Sequence, residues 1–134
     1  MTERATGTFD VTADPQPPFE AGDGVSLARM TITKKFSGDI DGTSVVHLLT
    51  VGALRPDSAG YVAVERVVGT LHGRTGSFVL QHLATMDRGE GDLRIVVVPD
   101  TGTGGLAGLR GTFAIEIADG AHHYAFDYTL DHET

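Results

Sequence analysis

Apolar and polar side chains alternate along most of the chain, in short segments separated by Gly, Asp and Pro. Alternation with a period of two places successive side chains on opposite faces of a β-strand. No stretch of ten residues carries the apolar stripe of a helix. The pattern predicts strands at Thr6–Ala13, Leu27–Phe36, Ser44–Leu54, Gly60–Leu71, Gly76–Met86, Leu93–Val98, Thr112–Ala118 and Ala121–Leu130.

Short turns join most of these strands. Residue pairs and runs that favour tight hairpins stand at Asp41-Gly42, Gly73-Arg74, Asp87–Gly91 and Asp119-Gly120. Successive hairpins make an antiparallel meander, and eight strands can close into a barrel without free edges. Prolines exclude segment 14–24, DPQPPFEAGDG, from a central strand, so we expect it on the surface or across one end of the barrel. The predicted fold class is all-β, an eight-stranded antiparallel β-barrel.

The hairpin around residues 73–74 decides which side chains enter the barrel. With Gly73-Arg74 as a two-residue turn, Glu65 lies opposite His82, and Gln81 points outward. The face with the bulkier aromatic side chains is assigned to the interior. It consists of Tyr61, Ala63, Glu65, Val67, Gly69, Phe78, Leu80, His82, Ala84 and Met86.

The last hairpin is treated in the same way. A turn at Asp119-Gly120 pairs Ile117 with His122, Ile115 with Tyr124, and Phe113 with Phe126. This face continues through Tyr128 and Leu130 and is strongly apolar, so we expect it to line the interior. His123, on the opposite face from His122, then points outward.

Composition narrows the choice of partners. The 134 residues fit one domain, 1–134, with a core of its own. The net charge of −8 and the scattered basic residues argue against nucleic acid and against an anionic membrane surface. The chain has no cysteine, no long apolar run and no apolar region near its start typical of a secretion signal, so we expect a cytoplasmic protein.

Four segments carry a resemblance to a known family: KKFSGDIDGTS, GYVAVERVVGTLHGRTGSFVLQH, VVPDTGTGGLAGLRGTF and YAFDYTL. They resemble a bacterial family catalogued as the domain of unknown function 3224, over about residues 5 to 130. The family is similar to the allene oxide cyclase barrels, which are eight-stranded, antiparallel and related in shape to lipocalins. The resemblance implies no established activity. By fold only, it implies a cavity that could fold a reactive apolar substrate.

Glu65 and His82 are the candidate catalytic residues. An ionisable pair on an apolar barrel wall can act as general acid and base, because burial raises the pKa of a carboxyl and a neighbouring charge lowers it again, which poises both groups near neutrality. The same pair can instead be a structural ion pair that fixes the register, since buried Glu is rare unless it is paired. Both interpretations stay open at the level of sequence.

Inward aromatic residues normally fill the core of a small barrel, but they can also line an apolar pocket. The candidate ligand-binding residues are Tyr61, Phe78, Phe113, His122, Tyr124, Phe126 and Tyr128. His47, His82 and His122 could all face inward, but no local spacing holds them at one height, so no metal site is predicted.

The segment after Leu93–Val98 matches the dinucleotide fingerprint formally, with Gly102, Gly104 and Ala107 at the required spacing. Too few residues follow for the helix that would hold a pyrophosphate, so we predict a glycine-rich connection with one helical turn at Leu106–Leu109. No cofactor is predicted.

Apolar side chains also fall on the outward face of the same hairpin, at Val62, Val64, Val68, Val79 and Leu83. Such a strip favours burial against another subunit, so we expect a homo-oligomer, a dimer or a trimer. We predict that the barrel interior binds a small apolar molecule. The alternative is a cofactor-independent cyclase or isomerase acting on a small hydrophobic or polyketide-like substrate.

Overall fold

The computed structural model describes residues 2–130, which form one antiparallel sheet closed into a barrel. Its strands are β1 (Glu3–Pro15), β2 (Glu20–Gly22), β3 (Val25–Gly38), β4 (Ile40–Gly52), β5 (Ala59–Leu71), β6 (Arg74–Asp87), β7 (Glu90–Val97), β8 (Leu109–Ala118) and β9 (Ala121–Leu130). The helical structure within this range is one 3₁₀ turn, Gly104–Leu106. Over the same range, no helix has the length and apolar character needed to cross a membrane.

The barrel closes because β1 pairs with two neighbours. The strands follow the order β1-β9-β8-β7-β6-β5-β4-β3, and β1 also pairs with β3, so the eight long strands form a ring. The predicted eight-stranded antiparallel barrel is confirmed. The remaining short strand, β2, lies inside the exposed segment 14–24 and pairs with the start of β3. It was not predicted, because three residues are too few to show an alternating pattern.

The predicted register of the β5–β6 hairpin is wrong by two residues. The turn is His72-Gly73, with φ of 46° and 81°, and both residues adopt the left-handed conformation that a type I′ turn requires. Glu65 therefore pairs with Leu80, and His82 with Ala63. A slip of two residues leaves every side chain on its predicted face of the sheet. A slip of one residue would have moved the inward side chains of one strand to the outer face.

The predicted turn at Asp41-Gly42 is also wrong, because both residues lie within β4. The chain reverses directly after Gly38, whose φ is 104°. Gly42 instead pairs with Gly69 of β5, and a side-chain carbon at Gly42 would lie 2.3 Å from the backbone oxygen of Val68. This glycine allows two strands to approach closely rather than to turn.

The other two predicted turns are present, at Arg88-Gly89 and Asp119-Gly120. The β8–β9 register is confirmed, including the pairs of Ile115 with Tyr124 and Phe113 with Phe126. Ile117, expected inside the barrel, is 69% exposed because it lies near the turn, where the barrel opens. The helical turn after β7 occupies Gly104–Leu106 instead of Leu106–Leu109.

The interior contains two apolar clusters at opposite ends. At the end that carries the β5–β6 turn, here called the closed end, Leu106 from the β7–β8 loop packs among the aromatic side chains. That large cluster includes Phe9, Phe36, Val67, Leu71, Phe78, Leu80, Phe113, Tyr124, Phe126 and Tyr128. The end with the β4–β5 and β6–β7 turns, here called the open end, has a smaller cluster of Val46, Leu48 and Ala63, against which Met30, Ile32 and Tyr61 pack.

Candidate functional site

Four polar side chains lie inside the barrel between the two apolar clusters. They are Lys34 on β3, Ser44 on β4, Glu65 on β5 and His82 on β6, and all four are buried. Each stands at an inward position of its strand, with the closed-end cluster on one side and the open end on the other. Together they are called the polar cluster below.

Glu65 is the centre of the polar cluster. Its Oε1 accepts hydrogen bonds from His82 Nε2 at 2.8 Å and from Lys34 Nζ at 3.3 Å, and its Oε2 accepts one from Ser44 Oγ at 2.5 Å. Burial by itself raises the pKa of the Glu65 carboxyl. The hydrogen bond from His82, the charge of Lys34 and the hydrogen bond from Ser44 outweigh burial, so that this pKa lies below its ordinary value.

Lys34 is the residue of the polar cluster whose charge balances Glu65. Its ammonium lies 4.6 Å from the ring centre of Phe9 and 6.0 Å from that of Phe36, within the range of a cation–π contact for both rings. Burial lowers the pKa of Lys34, and the charge and hydrogen bond of Glu65 act against this. Lys34 was not predicted as a site residue, although its position between Ile32 and Phe36 on the inward face of β3 indicates an inward side chain.

The hydrogen bond to Glu65 places a proton on one ring nitrogen of His82. An ionised carboxylate can only accept, so the proton between the two groups belongs to His82 Nε2. A neutral imidazole leaves the cluster without net charge, because Lys34 already balances Glu65. His82 Nδ1 is then a hydrogen-bond acceptor. It is buried, and nothing in residues 2–130 bonds to it.

A cavity of about 390 Å³ opens at the open end, next to the polar cluster. This mouth cavity is lined by Thr50, Val51, Ala59, Gly60, Tyr61, Ala84, Thr85, Met86, Gly91, Asp92 and Leu93. Most of these residues stand at inward positions and have small or apolar side chains. The ring of Tyr61 lies 6.2 Å from the ring of His82, so this side chain joins the cavity to the polar cluster. Burial, and secondly the charge of Glu65, raise the pKa of the Tyr61 hydroxyl.

The structure brings Glu65 and His82 together, as expected from the sequence, and places Tyr61 beside His82. It places the other candidate ligand-binding residues elsewhere. Phe78, Phe113, Tyr124, Phe126 and Tyr128 are buried in the closed-end cluster, where they stack on one another with ring centres 5.2–5.6 Å apart. His122 packs against Phe9 at 5.1 Å. Ligand contact by these six residues stays a prediction.

Two tyrosines of the closed end have partners for their hydroxyl groups. The Tyr124 hydroxyl accepts from the backbone N–H of Ile40 and donates to the backbone oxygen of Ser37. The Tyr128 hydroxyl shares a hydrogen bond of 2.5 Å with Nδ1 of His72, whose Nε2 lies 3.4 Å from Asp39 Oδ2. These bonds attach the turns to the barrel wall.

His47 stands on the outer face of β4, so the three histidines considered for a metal do not converge. The same outer face carries a set of exposed apolar side chains, here called the outer patch. Its members are Val45, Leu49 and Val51 on β4, Val62, Val64 and Val68 on β5, and Leu83 on β6. Val79, also expected there, is half-buried.

Fold and site together define a class of protein: a closed eight-stranded antiparallel β-barrel, with an ionic cluster buried inside and an apolar cavity at one mouth. The sequence profile of the proteins of unknown function DUF3224 matches residues 5–128, and the chain belongs to this family. The family resemblance seen in the sequence is confirmed.

A crystal structure of a DUF3224-family protein with unknown function from Shewanella oneidensis MR-1 has the same architecture. The two chains are 42% identical, the alignment covers 98% of this chain and 99% of that chain, and the TM-score is 0.92. The comparison with curated proteins finds no match.

Proposed function

We propose that this barrel binds a small, largely apolar molecule in the mouth cavity. The observation that carries the proposal is the cavity itself, which lies at the open end and reaches Tyr61, the neighbour of buried His82. Its volume of about 390 Å³ lies within the range of small-molecule sites, which are mostly apolar with a few polar groups. Small side chains such as Ala59 and Ala84 leave this space open.

We propose binding rather than turnover because of the state of Glu65. A general base needs a free carboxylate within reach of the proton it removes. The Glu65 carboxylate is fully buried, accepts from three side chains, and has a lowered pKa, which makes it a weak base. The cyclase or isomerase alternative, and the relation to allene oxide cyclases on which it depends, would need the polar cluster to rearrange when substrate enters.

The test is the binding of the fluorescent apolar probe N-phenyl-1-naphthylamine, with one variant that fills the cavity and one that does not. Ala84→Phe adds a ring inside the cavity, and Ala114→Phe adds the same ring on the exposed face of β8. We expect Ala84→Phe to weaken binding at least about tenfold, which corresponds to about 1.4 kcal/mol, while Ala114→Phe keeps the wild-type affinity. The proposal fails if the wild type does not bind the probe or if both variants bind it equally.

We also propose that the outer patch is covered by a second copy of this chain. The chain carries a net charge of −8, so two copies repel each other over most of their surfaces. The strand positions within the outer patch contain no carboxylate, and the only ionisable side chains interleaved there are His47 and Arg66. A symmetric contact through this face therefore buries apolar side chains without bringing negative charges together.

Light scattering coupled to size-exclusion chromatography tests this proposal. The wild type should have a mass above the 14.1 kDa of one chain, and Val64→Lys should reduce it to one chain because it places charge at the centre of the contact. Ile117→Lys, at an exposed apolar position of β8, is the control and should keep the wild-type mass. A wild type that elutes as a monomer at micromolar concentration would rule the contact out.

A further inference from the structure

The unpartnered nitrogen of His82 restricts what the mouth cavity can hold. Buried side-chain nitrogen and oxygen atoms nearly always have a hydrogen-bond partner. Among such atoms in residues 2–130, His82 Nδ1 is the one that lacks a partner. The other members of the polar cluster direct their hydrogen bonds to Glu65, so the missing partner of His82 Nδ1 is not one of them.

The protonation of His82 determines the kind of partner. Glu65 holds a proton on Nε2, and in the neutral imidazole that leaves the polar cluster without net charge, Nδ1 carries a lone pair. A group that bonds to it must donate a hydrogen. Carbonyl and ether oxygens, and ionised carboxylates, have no hydrogen to donate and cannot complete this bond.

The position of His82 determines where the partner comes from. The closed-end cluster fills the barrel on one side of the polar cluster with aromatic side chains. On the other side, Tyr61 is only half-buried and lines the mouth cavity, and its ring lies 6.2 Å from the imidazole. His82 does not line the cavity and its Nδ1 is buried, so a molecule in the cavity bonds to this nitrogen only when the Tyr61 side chain turns aside.

We infer that the molecule held in the mouth cavity is an alcohol, a phenol or an N–H compound with an apolar body, and that its donor group bonds to His82 Nδ1. This inference rests on the proposed function, because it assumes that the cavity holds a molecule. It goes further by naming the chemical class and the atom that recognises it.

The test compares 2-naphthol with 2-methoxynaphthalene, which have the same ring system and differ in the hydroxyl hydrogen. We expect the wild type to bind 2-naphthol about five- to tenfold more tightly, as one added hydrogen bond allows. In His82→Phe, which keeps an aromatic ring without the acceptor, the ratio of the two affinities should fall to about one. Equal binding of the two compounds by the wild type would overturn the inference and leave the proposed function standing. Failure to bind either compound would overturn both.

Because His82→Phe removes a donor from Glu65 and can impair folding, a second measurement uses the wild-type chain. Nitrogen NMR of histidine-labelled protein should show one His82 nitrogen protonated and one free in the absence of ligand. Addition of 2-naphthol should shift the resonance of the free nitrogen, and 2-methoxynaphthalene should leave it in place. A free-nitrogen resonance that already shows a hydrogen bond without ligand would mean that a water molecule is the partner, and would contradict the inference.

Discussion

The two ends of the barrel interior are built from the same strands but are filled differently. At the closed end, inward positions hold Phe78, Phe113 and Phe126, whose rings pack against one another, and every residue of the cluster is buried. At the open end, β5 and β6 present the small inward side chains of Ala59 and Ala84, and a cavity remains. Side-chain size along each strand, rather than the number of strands, therefore decides which part of this barrel interior is filled and which part is open.

The two ends also differ in how completely their polar side chains are hydrogen-bonded. At the closed end, the hydroxyls of Tyr124 and Tyr128 both have partners within the chain. Toward the open end, His82 uses one ring nitrogen on Glu65 and leaves the other without a partner. Complete hydrogen bonding of these side chains is found at the closed end, and incomplete hydrogen bonding toward the end where we propose binding.

The strongest way to test the contrast is to remove one large side chain from each end. Phe126→Ala should lower the free energy of unfolding by about 3–5 kcal/mol, because it leaves a hole in a fully packed cluster. Met86→Ala, at the half-exposed rim of the mouth cavity, should change it by less than about 1 kcal/mol. Urea unfolding at neutral pH measures both. Equal losses in the two variants would show that the ends do not differ in packing.

Loss of charge balance in the polar cluster should have the next largest effect. Lys34→Met leaves the buried Glu65 carboxylate without its positive neighbour, and we expect a loss of about 3–5 kcal/mol in the free energy of unfolding. The double variant Lys34→Met/Glu65→Gln should recover most of this loss because it removes both charges. Arg4→Met breaks the exposed ion pair with Asp127 and is the control, with little change expected. A double variant no more stable than Lys34→Met would contradict this account.

Acid should lower the free energy of unfolding of the wild type because it protonates Glu65 in the polar cluster. The pKa of Glu65 in the folded protein lies below its ordinary value of 4.5. The stabilisation that ionised Glu65 contributes to the free energy of unfolding is therefore complete at pH values above 4.5. It is lost as the pH falls through the lower folded-state pKa, since protonation removes the negative charge that pairs with Lys34 and weakens the hydrogen bonds that the carboxylate accepts. Urea midpoints measured between neutral and strongly acidic pH should fall more for the wild type than for Lys34→Met/Glu65→Gln. Parallel pH profiles for the two proteins would assign the acid sensitivity to other carboxyl groups.

The smallest effect on the free energy of unfolding is expected from a substitution in the β5–β6 turn at the closed end. His72→Asn keeps a residue type that tolerates the left-handed conformation but removes the bond to the buried Tyr128 hydroxyl, at a cost of about 1 kcal/mol. His47→Asn, on the outer face, should be neutral. Neither substitution should change the affinity for 2-methoxynaphthalene, because both lie away from the mouth cavity. A loss of affinity in His72→Asn would mean that the two ends are coupled.

Much of this fold was predictable because alternation and glycine-containing turns act locally. The β8–β9 register followed from Asp119-Gly120, a pair that favours one turn type. The β5–β6 register did not, because Gly73 is the second residue of the turn, after His72, and not the first, before Arg74. Glu65 and His82 were found because a slip of two residues preserves the inward face.

The remaining parts of the site depend on three-dimensional packing. Lys34 was overlooked although its strand alternates cleanly, because a single lysine beside Lys35 is usually a solvated surface residue. The boundary between filled and open interior arises from the side chains of all eight strands together, and no single segment encodes it. Tyr61 and the closed-end aromatics look alike in sequence, yet they lie in different surroundings.

Closure of the ring depends on β1, which pairs with β9 on one side and β3 on the other. The last of these strands to leave the ribosome is β9. The first strand, β1, therefore lacks one of its two partners until almost the entire barrel has been synthesised. Contacts between residues so distant along the chain form slowly, so we expect milliseconds to seconds for folding. An unfinished barrel then has an open seam along β1, where a nascent chain would be open to chaperones and to mispairing.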